Sequence, residues 1–394
     1  MSQHRFLAAV AVGLLATQSA SMMLAPLLVA IAVQFDNSVA VAGQLATVTF
    51  AAWAVSVVSV GPLSDSLGRR PVALAGLTLL SISVLASAFA PNFGILMALR
   101  AVTGLGRGMI PPNSLAAVAD SLPPARRAQA VGGLMAFSTM STVIGVPLVA
   151  VVANAGGWQV PFLAIGGMLA ACLVLNWFWF PKDDGSGPRP FSFFSRYRTL
   201  LAIPAFQAAI GVNFAQRMAY FALFSYLAAY LIDAYDLSIG SIALPMALVG
   251  IGTVIGTYIG GPVANSKQRM PLIGAAALAG GATALLLFLI EVPFWGAVAI
   301  GTGAVSLMSV GWPVMLTFST EISGQSRATG VGIIGASNQS GGVGGAALGG
   351  ILLATSGFPG VGYLSLGAAA FSAVIIILFM RRPISRTSYE QFRK

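Results

Sequence analysis

The chain has 394 residues, 57% of them hydrophobic and 8% charged, whereas a soluble domain carries about 25% charged residues. So few charges cannot cover a water-facing globule, and a mean hydropathy of +0.89 makes lipid the solvent for most of the surface. The formal charge of +10 would suit nucleic acid if it were gathered on one soluble face, but its distribution along the chain excludes that reading.

Twelve apolar stretches predict membrane-crossing helices, at 6–33, 40–63, 71–90, 94–118, 128–153, 160–180, 203–232, 239–263, 271–290, 294–318, 328–354 and 360–380. Each has about 20 residues or more, enough to cross roughly 30 Å of hydrocarbon. Threaded from an inside N-terminus, the basic residues of the loops, among them Arg5, Arg69, Arg70, Arg126, Arg127, Lys182, Lys267, Arg269 and Arg327, all fall on one side. Asp36, Asp233, Asp236 and Glu291 fall on the other. Cytoplasmic loops are enriched in Lys and Arg, so the expectation is a bacterial inner-membrane protein with both termini cytoplasmic. The single cysteine, Cys172, lies in span 6 and has no intramolecular disulfide partner.

Span 1 carries Thr17 and Gln18 near its middle, and its apolar run continues past Pro26 to Val33, longer than the core of a cleaved leader. Span 2 offers Phe50 and Trp53 as apolar or stacking surface. Gly61-Pro62-Leu63-Ser64-Asp65-Ser66-Leu67-Gly68-Arg69-Arg70-Pro71 joins spans 2 and 3. A turn this tight between helices needs glycine, and Asp65 and Arg69, four apart, can pair across one helical turn. Span 4 holds Arg100, Gly104, Gly106 and Arg107, with Arg107 on the helical face of Arg100. A charge inside a bilayer is costly and marks function. Span 5 contains Gly145-Val146-Pro147-Leu148 and then Gly157-Trp158.

Residues 181–190 form the longest polar, Pro/Gly-rich stretch and read as a linker. The expected division is a six-helix bundle at 1–180, a cytoplasmic linker at 181–200, a second six-helix bundle at 201–383 and a tail at 384–394. Span 7 spaces Asn213, Arg217, Tyr220 and Phe224 at i, i+4, i+7 and i+11, one face of a helix. Trp312 in span 10 and Asn338 and Gln339 in span 11 add aromatic and polar candidates. The segment 261–271 repeats 61–71 at an offset of 200, with Gly, Pro, Ser, Arg and Pro in register and Asn265 in place of Asp65. Arg127-Ala128 and Val131-Gly132 recur as Arg327-Ala328 and Val331-Gly332 at the same offset. The fold class expected is all-α and polytopic, twelve transmembrane helices in two pseudo-symmetric six-helix bundles. Transporters built of such repeats bind near the midplane between them.

Gly61, Leu63, Asp65, Gly68, Arg69 and Arg70 together resemble the loop signature G-x-L-x-D-x-x-G-R-[RK] of the major facilitator superfamily. Arg100-x-x-x-Gly104-x-Gly106 resembles its second motif. Span 5 is similar to a weakened antiporter motif, G-P-x-x-G-G, with Val146 before Pro147 and Val149-Ala150 where the glycine pair is expected. This form is similar to that of bacterial sugar and nucleoside efflux permeases in the drug-antiporter branch. The resemblance implies a secondary carrier working by alternating access. It also implies a charge-based latch of Gly61, Asp65, Gly68 and Arg69 with Asp120 at the end of span 4, and conformational roles for Arg100 and Pro147. Spans 1, 4, 7 and 10 line the cavity in this superfamily. Gln18, Arg107, Asn213, Arg217 and Tyr220, with Asn338 from span 11, are therefore the expected substrate-binding residues.

No acid lies mid-span and the sole histidine is His4. Two or three buried arginines in place of a buried carboxylate favour an anionic or neutral polar substrate over a lipophilic cation. Protons are a candidate coupling ion. The alternative is an uptake carrier or exchanger for an organic anion clamped by Arg107 and Arg217. No nucleophile–base pair, metal-ligand cluster or G-x-x-x-x-G-K-[ST] is found, so a non-enzymatic monomer without metal or cofactor is expected, its partners a small-molecule substrate and the lipid bilayer.

Overall fold

The computed structural model describes residues 3–123, 130, 133–135, 137, 138, 140–181, 198–323 and 327–380, and leaves the side chains of residues 61, 62, 65, 66, 119, 120, 327 and 328 outside that description. Of the expected linker at 181–200, residues 182–197 lie outside the described residues, as do all residues after 380, the expected tail at 384–394 among them. Among the described residues every regular element is helical, and twelve passes can be followed. Span 1 is Gln3–Met22 continued by Leu24–Gln34, span 2 Val39–Leu67, span 3 Arg69–Ser87 and span 4 Phe93–Ser121. Span 5 is Ser141–Gly145 followed by Val146–Gly156, and span 6 is Gln159–Trp179. Span 7 is Pro204–Ala234, span 8 Ala243–Ala264 and span 9 Arg269–Leu289. Span 10 is Phe294–Ser309 followed by Gly311–Ile322, and spans 11 and 12 share Arg327–Phe379, which reverses at Gly357. Nine of the described helices are long and apolar enough to cross a membrane.

The 200-residue repeat is written in the backbone. Asp36 and Asp236 both take a left-handed φ of 50°, and beside them Asn37 N–H donates to Ala32 O at 2.9 Å and Leu237 N–H to Ile232 O at 3.0 Å. These bonds close the ends of spans 1 and 7 in the same way. Gly157 and Gly357, also 200 apart, take φ 87° and 66° in extended left-handed backbone that glycine alone adopts freely. The same chain reversal is therefore built twice, after span 5 and after span 11.

The joint between spans 2 and 3 differs from the sequence-based expectation. Span 2 stays helical through the motif to Leu67, with Gly68 N–H donating to Ser64 O at 3.0 Å, so residues 61–67 are the last turns of a helix. The whole reversal falls on Gly68 (φ 92°, ψ 158°), where any other residue costs about 1–3 kcal/mol. Its counterpart uses four residues, 265–268, with Ser266 Oγ accepting from Gln268 N–H at 3.1 Å. That turn has room to reverse without a left-handed glycine.

Close helix packing accounts for much of the glycine content. On span 8, Gly252, Gly256 and Gly260 abut the carbonyls of Thr302, Ser306 and Val310 on span 10, one contact per turn on each helix. Such small-residue stripes bring helix backbones together where lipid supplies no hydrophobic drive. On span 4, Gly104 abuts Thr49 O of span 2, and Gly106 abuts Gly76 O of span 3. Span 4 is thereby held at a fixed depth between its neighbours, which sets where Arg107 emerges.

The halves meet towards the acidic end of the bundle, where Asp36, Asp233 and Asp236 are exposed. Asn154 Oδ1 accepts from Gly240 N–H at 3.2 Å. Tyr226, whose hydroxyl donates to Ala346 O at 2.7 Å, lies against Gly43 of span 2 and Gly349 and Gly350 of span 11. Gln44 and Ala40 close on Gly350 from the other side. Nearer the middle, the Phe50 ring of span 2 lies on Phe221 of span 7 with centroids 4.7 Å apart.

Candidate functional site

Arg107 is 2% exposed, and the close approach of spans 2 and 4 at Gly104 and Gly108 brings Trp53 over it. The guanidinium carbon stands 3.5 Å from the Trp53 ring centroid, within the range of a cation–π contact. Its Nη2 donates to Gln18 Oε1 of span 1 at 2.6 Å. Its Nε and Nη1 are buried with no partner among the described residues. Donors left unsatisfied in a dry interior cost on the order of 1–3 kcal/mol each, more when charged. Gln18 and Arg107 are thus brought together, on a charge whose remaining donors await an acceptor.

Arg217 does something different. Its Nη2 donates to Met308 O of span 10 at 2.8 Å, and its guanidinium lies 4.9 Å from the Tyr220 ring, whose hydroxyl meets Thr253 Oγ1 of span 8 at 3.3 Å. Met308 sits just before the break in span 10 between Ser309 and Gly311, where carbonyls are released from the helical ladder. Pro313 supplies the break: it has no N–H for Ser309 O, and its ring crowds that carbonyl. A cation at a helix C-terminus is stabilised by the exposed carbonyls.

The expected single polar face on span 7 therefore fans out. Asn213 Nδ2 donates to Ile334 O at 3.1 Å and to Ser337 Oγ at 3.3 Å, tying span 7 to span 11, while Arg217 turns to span 10 and Tyr220 to span 8. Span 7 is buried on nearly all sides, so each polar group takes a partner from the helix it happens to face. Asn338 is half-buried, and its neighbour Gln339 is buried with Oε1 unpartnered. Arg100, fully buried, donates from Nη2 to Thr103 Oγ1 at 2.6 Å and lies 5.1 Å from the Phe162 ring of span 6. The two arginines of span 4 face different neighbours, Arg107 spans 1 and 2 and Arg100 the Phe162 ring of span 6, and the Nε and Nη1 of Arg100 are likewise buried with no partner among the described residues.

Of the expected latch, Gly61 lies in the helical end of span 2 and Arg69 opens span 3. The side chains of Asp65 and Asp120 lie outside the described residues. The second half shows such a pair in full: Arg269 grips Glu321 at the end of span 10 with both guanidinium forks, at 3.0 and 2.6 Å, and also donates to Ala264 O at 3.1 Å. Glu321 escaped the sequence reading. Its signal was present, since it lies 201 residues after Asp120, one position from the repeat. With Glu321 46% exposed, the pair is worth about 1 kcal/mol or less.

Pro147 is the second residue of Val146–Gly156, directly after the π-helical turn Ser141–Gly145. A wide turn absorbs the N–H that proline lacks and bends the helix. The bend touches both halves: Gly145 faces Ser19 of span 1, and Gly250 of span 8 packs on the Thr142 carbonyl.

Twelve helical passes in two halves of one local design, with buried arginines inside each half, define a polytopic membrane transporter. The chain belongs to the Major Facilitator Superfamily, whose family model matches residues 10–309 and 213–393. It is 26% identical over 364 residues to the inner membrane transport protein YdhP of Escherichia coli (strain K12), covering 90% of each chain. It is 27% identical over 302 residues to the purine ribonucleoside efflux pump NepI of Shigella sonnei, covering 74% of each. Among solved structures it is similar to a bacterial homologue of the human lysosomal transporter Spinster in an inward-facing, occupied conformation. That likeness has a TM-score of 0.78 and 19% identity over 97% of this chain and 98% of the other.

Proposed function

We propose that the protein is an efflux permease of the bacterial inner membrane that exports a small polar solute by alternating access, its basic loops cytoplasmic. The observation that carries this reading is Arg107, a buried cation between spans 1, 2 and 4 whose Nε and Nη1 have no partner among the described residues. A charge kept in a membrane interior with donors to spare marks a functional site. Gln18 orients it, Trp53 covers one of its faces, and Asn213, Arg217, Tyr220 and Asn338 shape the opposite half. Contacts between the halves at Tyr226, Gly350 and Asn154 form the outer gate, and Pro147 with its π turn, Gly68 and Arg100 serve the rocking of the halves. The direction is drawn from NepI, whose purine ribonucleoside supplies the first substrate to try, and an inward proton gradient is the proposed drive.

The test is uptake of labelled inosine into inverted membrane vesicles energised to an acidic lumen. Accumulation that collapses when the pH gradient is dissipated supports proton-driven export. The unneutralised Arg107 also suits a second reading, exchange of organic anions. Uptake indifferent to the gradient but stimulated by an anionic counter-substrate inside the vesicle would establish that reading and remove proton-driven efflux.

A further inference from the structure

Aromatic rings connect two of the buried arginines, Arg107 and Arg217, across the junction between the halves. Starting at Arg107, the guanidinium lies 3.5 Å from the Trp53 ring. Trp53 stacks on Phe50 at 6.1 Å and 22°, and Phe50 crosses to Phe221 at 4.7 Å. Phe221 meets Tyr220 edge-on at 5.1 Å, and Tyr220 lies 4.9 Å from the Arg217 guanidinium. Trp53 and Phe50 belong to span 2, Phe221 and Tyr220 to span 7. The chain of rings therefore has one joint that the rocking of the halves would open, Phe50 on Phe221. Gly342 of span 11 leaves the Phe50 ring room to lie flat, since a Cβ there would meet three of its atoms at 3.0–3.1 Å. Beside the joint lies a void of about 20 Å³, bordered by Ser21, Ala46, Phe50, Phe221, Phe224 and Ser225, room for about one water.

Resting on the carrier reading above, we propose that this ladder is the substrate platform and that the transported solute is a flat aromatic or heteroaromatic ring bearing acceptor oxygens on its edge. The parts divide the work. The Phe50–Phe221 joint supplies ring faces, which bind any π system by stacking and have nothing to offer a saturated ring of equal size. The Arg107 donors at one end supply directional contacts that an oxyanion or carbonyl meets most strongly. A cationic aromatic fits the rings and is repelled by the guanidiniums. In the closed state the void admits no ring, so the solute enters when the halves part and the two phenylalanines separate.

The test uses purified full-length protein in detergent, titrated by thermal stabilisation with benzoate and inosine, their non-aromatic counterparts cyclohexanecarboxylate and ribose, and benzylammonium. The expected result is stabilisation by benzoate or inosine at tenfold or more lower concentration than by the non-aromatic counterpart, with benzylammonium inert. Phe50→Leu should weaken that ligand tenfold or more, while Phe50→Tyr retains it. Equal response to aromatic and non-aromatic partners, response to benzylammonium, no response to either benzoate or inosine, or indifference to Phe50→Leu would each overturn the proposal. The carrier reading fails separately. Gradient-driven export of a saturated solute by the vesicles would leave the permease standing and remove the ladder as its platform.

Discussion

Replacing Arg107 with alanine should reduce transport by about a hundredfold or more while the protein still folds and inserts. The expectation follows from what the guanidinium touches. One hydrogen bond goes to Gln18 and one face lies on Trp53, while Nε and Nη1 have no partner among the described residues. Little of the fold depends on those two donors, and whatever the substrate supplies as acceptor depends on them wholly. A charge-assisted contact in a dry site is worth about 2–5 kcal/mol when one partner is removed, and each 1.4 kcal/mol is tenfold. Arg107→Lys keeps the charge and should still lose most activity, because an ammonium offers neither the planar fork nor the stacking face. Counterflow of substrate in proteoliposomes measures both variants. Transport by Arg107→Ala within threefold of wild type would remove Arg107 from the site.

Gly350→Leu should abolish turnover by a different route, leaving binding largely intact. A Cβ at residue 350 would stand 2.6 Å from Gln44 Nε2, 2.7 Å from the Tyr226 hydroxyl and 2.9 Å from Ala40 O, and a backbone carbonyl cannot step aside as a flexible side chain can. Leucine there holds spans 2 and 11 apart at the acidic end, so the closed state costs several kcal/mol more than the open one. Since about 5.5 kcal/mol moves a two-state equilibrium from 1:99 to 99:1, a carrier that must visit both states stalls. The expected result is turnover down by tenfold or more with substrate affinity within a few-fold of wild type. A variant that both binds and turns over normally would show that this contact is not a gate.

The parts of the fold that follow from hydropathy and charge could be read from the sequence, because a bilayer leaves little choice: twenty apolar residues cross, and arginines stay out of lipid. The offset of 200 led to two halves of one design, and the backbone carries it at Asp36 and Asp236 and at Gly157 and Gly357. The breaks were harder. Span 1 interrupts at Met23, span 5 widens at Ser141–Gly145 and span 10 at Val310, and composition averages over such local events. Pro313 was a readable cause of the last; it frees Ser309 O, while Arg217 takes the neighbouring Met308 O. The pairing of Gln18 with Arg107 was legible because spans 1 and 4 face each other in this architecture. The Phe50–Phe221 contact was not, since it joins residues 171 positions apart on rotations no periodicity fixes. The fan of partners around span 7 was hidden for a related reason: a helix buried on all sides has no single polar face.

In the proposed cycle the two halves rock about the Phe50–Phe221 junction, closing one end as the other opens. Spin labels report this directly once the native Cys172 is replaced by alanine. One pair, at Ser38 and Ser238, spans the acidic end, and another, at Leu67 and Lys267, spans the basic end; all four positions are exposed. Pulsed electron resonance distances, taken with and without transported substrate or a pH gradient, should move in opposite senses, one pair lengthening as the other shortens. Distances that stay fixed at both ends under every condition that supports transport, or that lengthen together, would contradict alternating access by these halves.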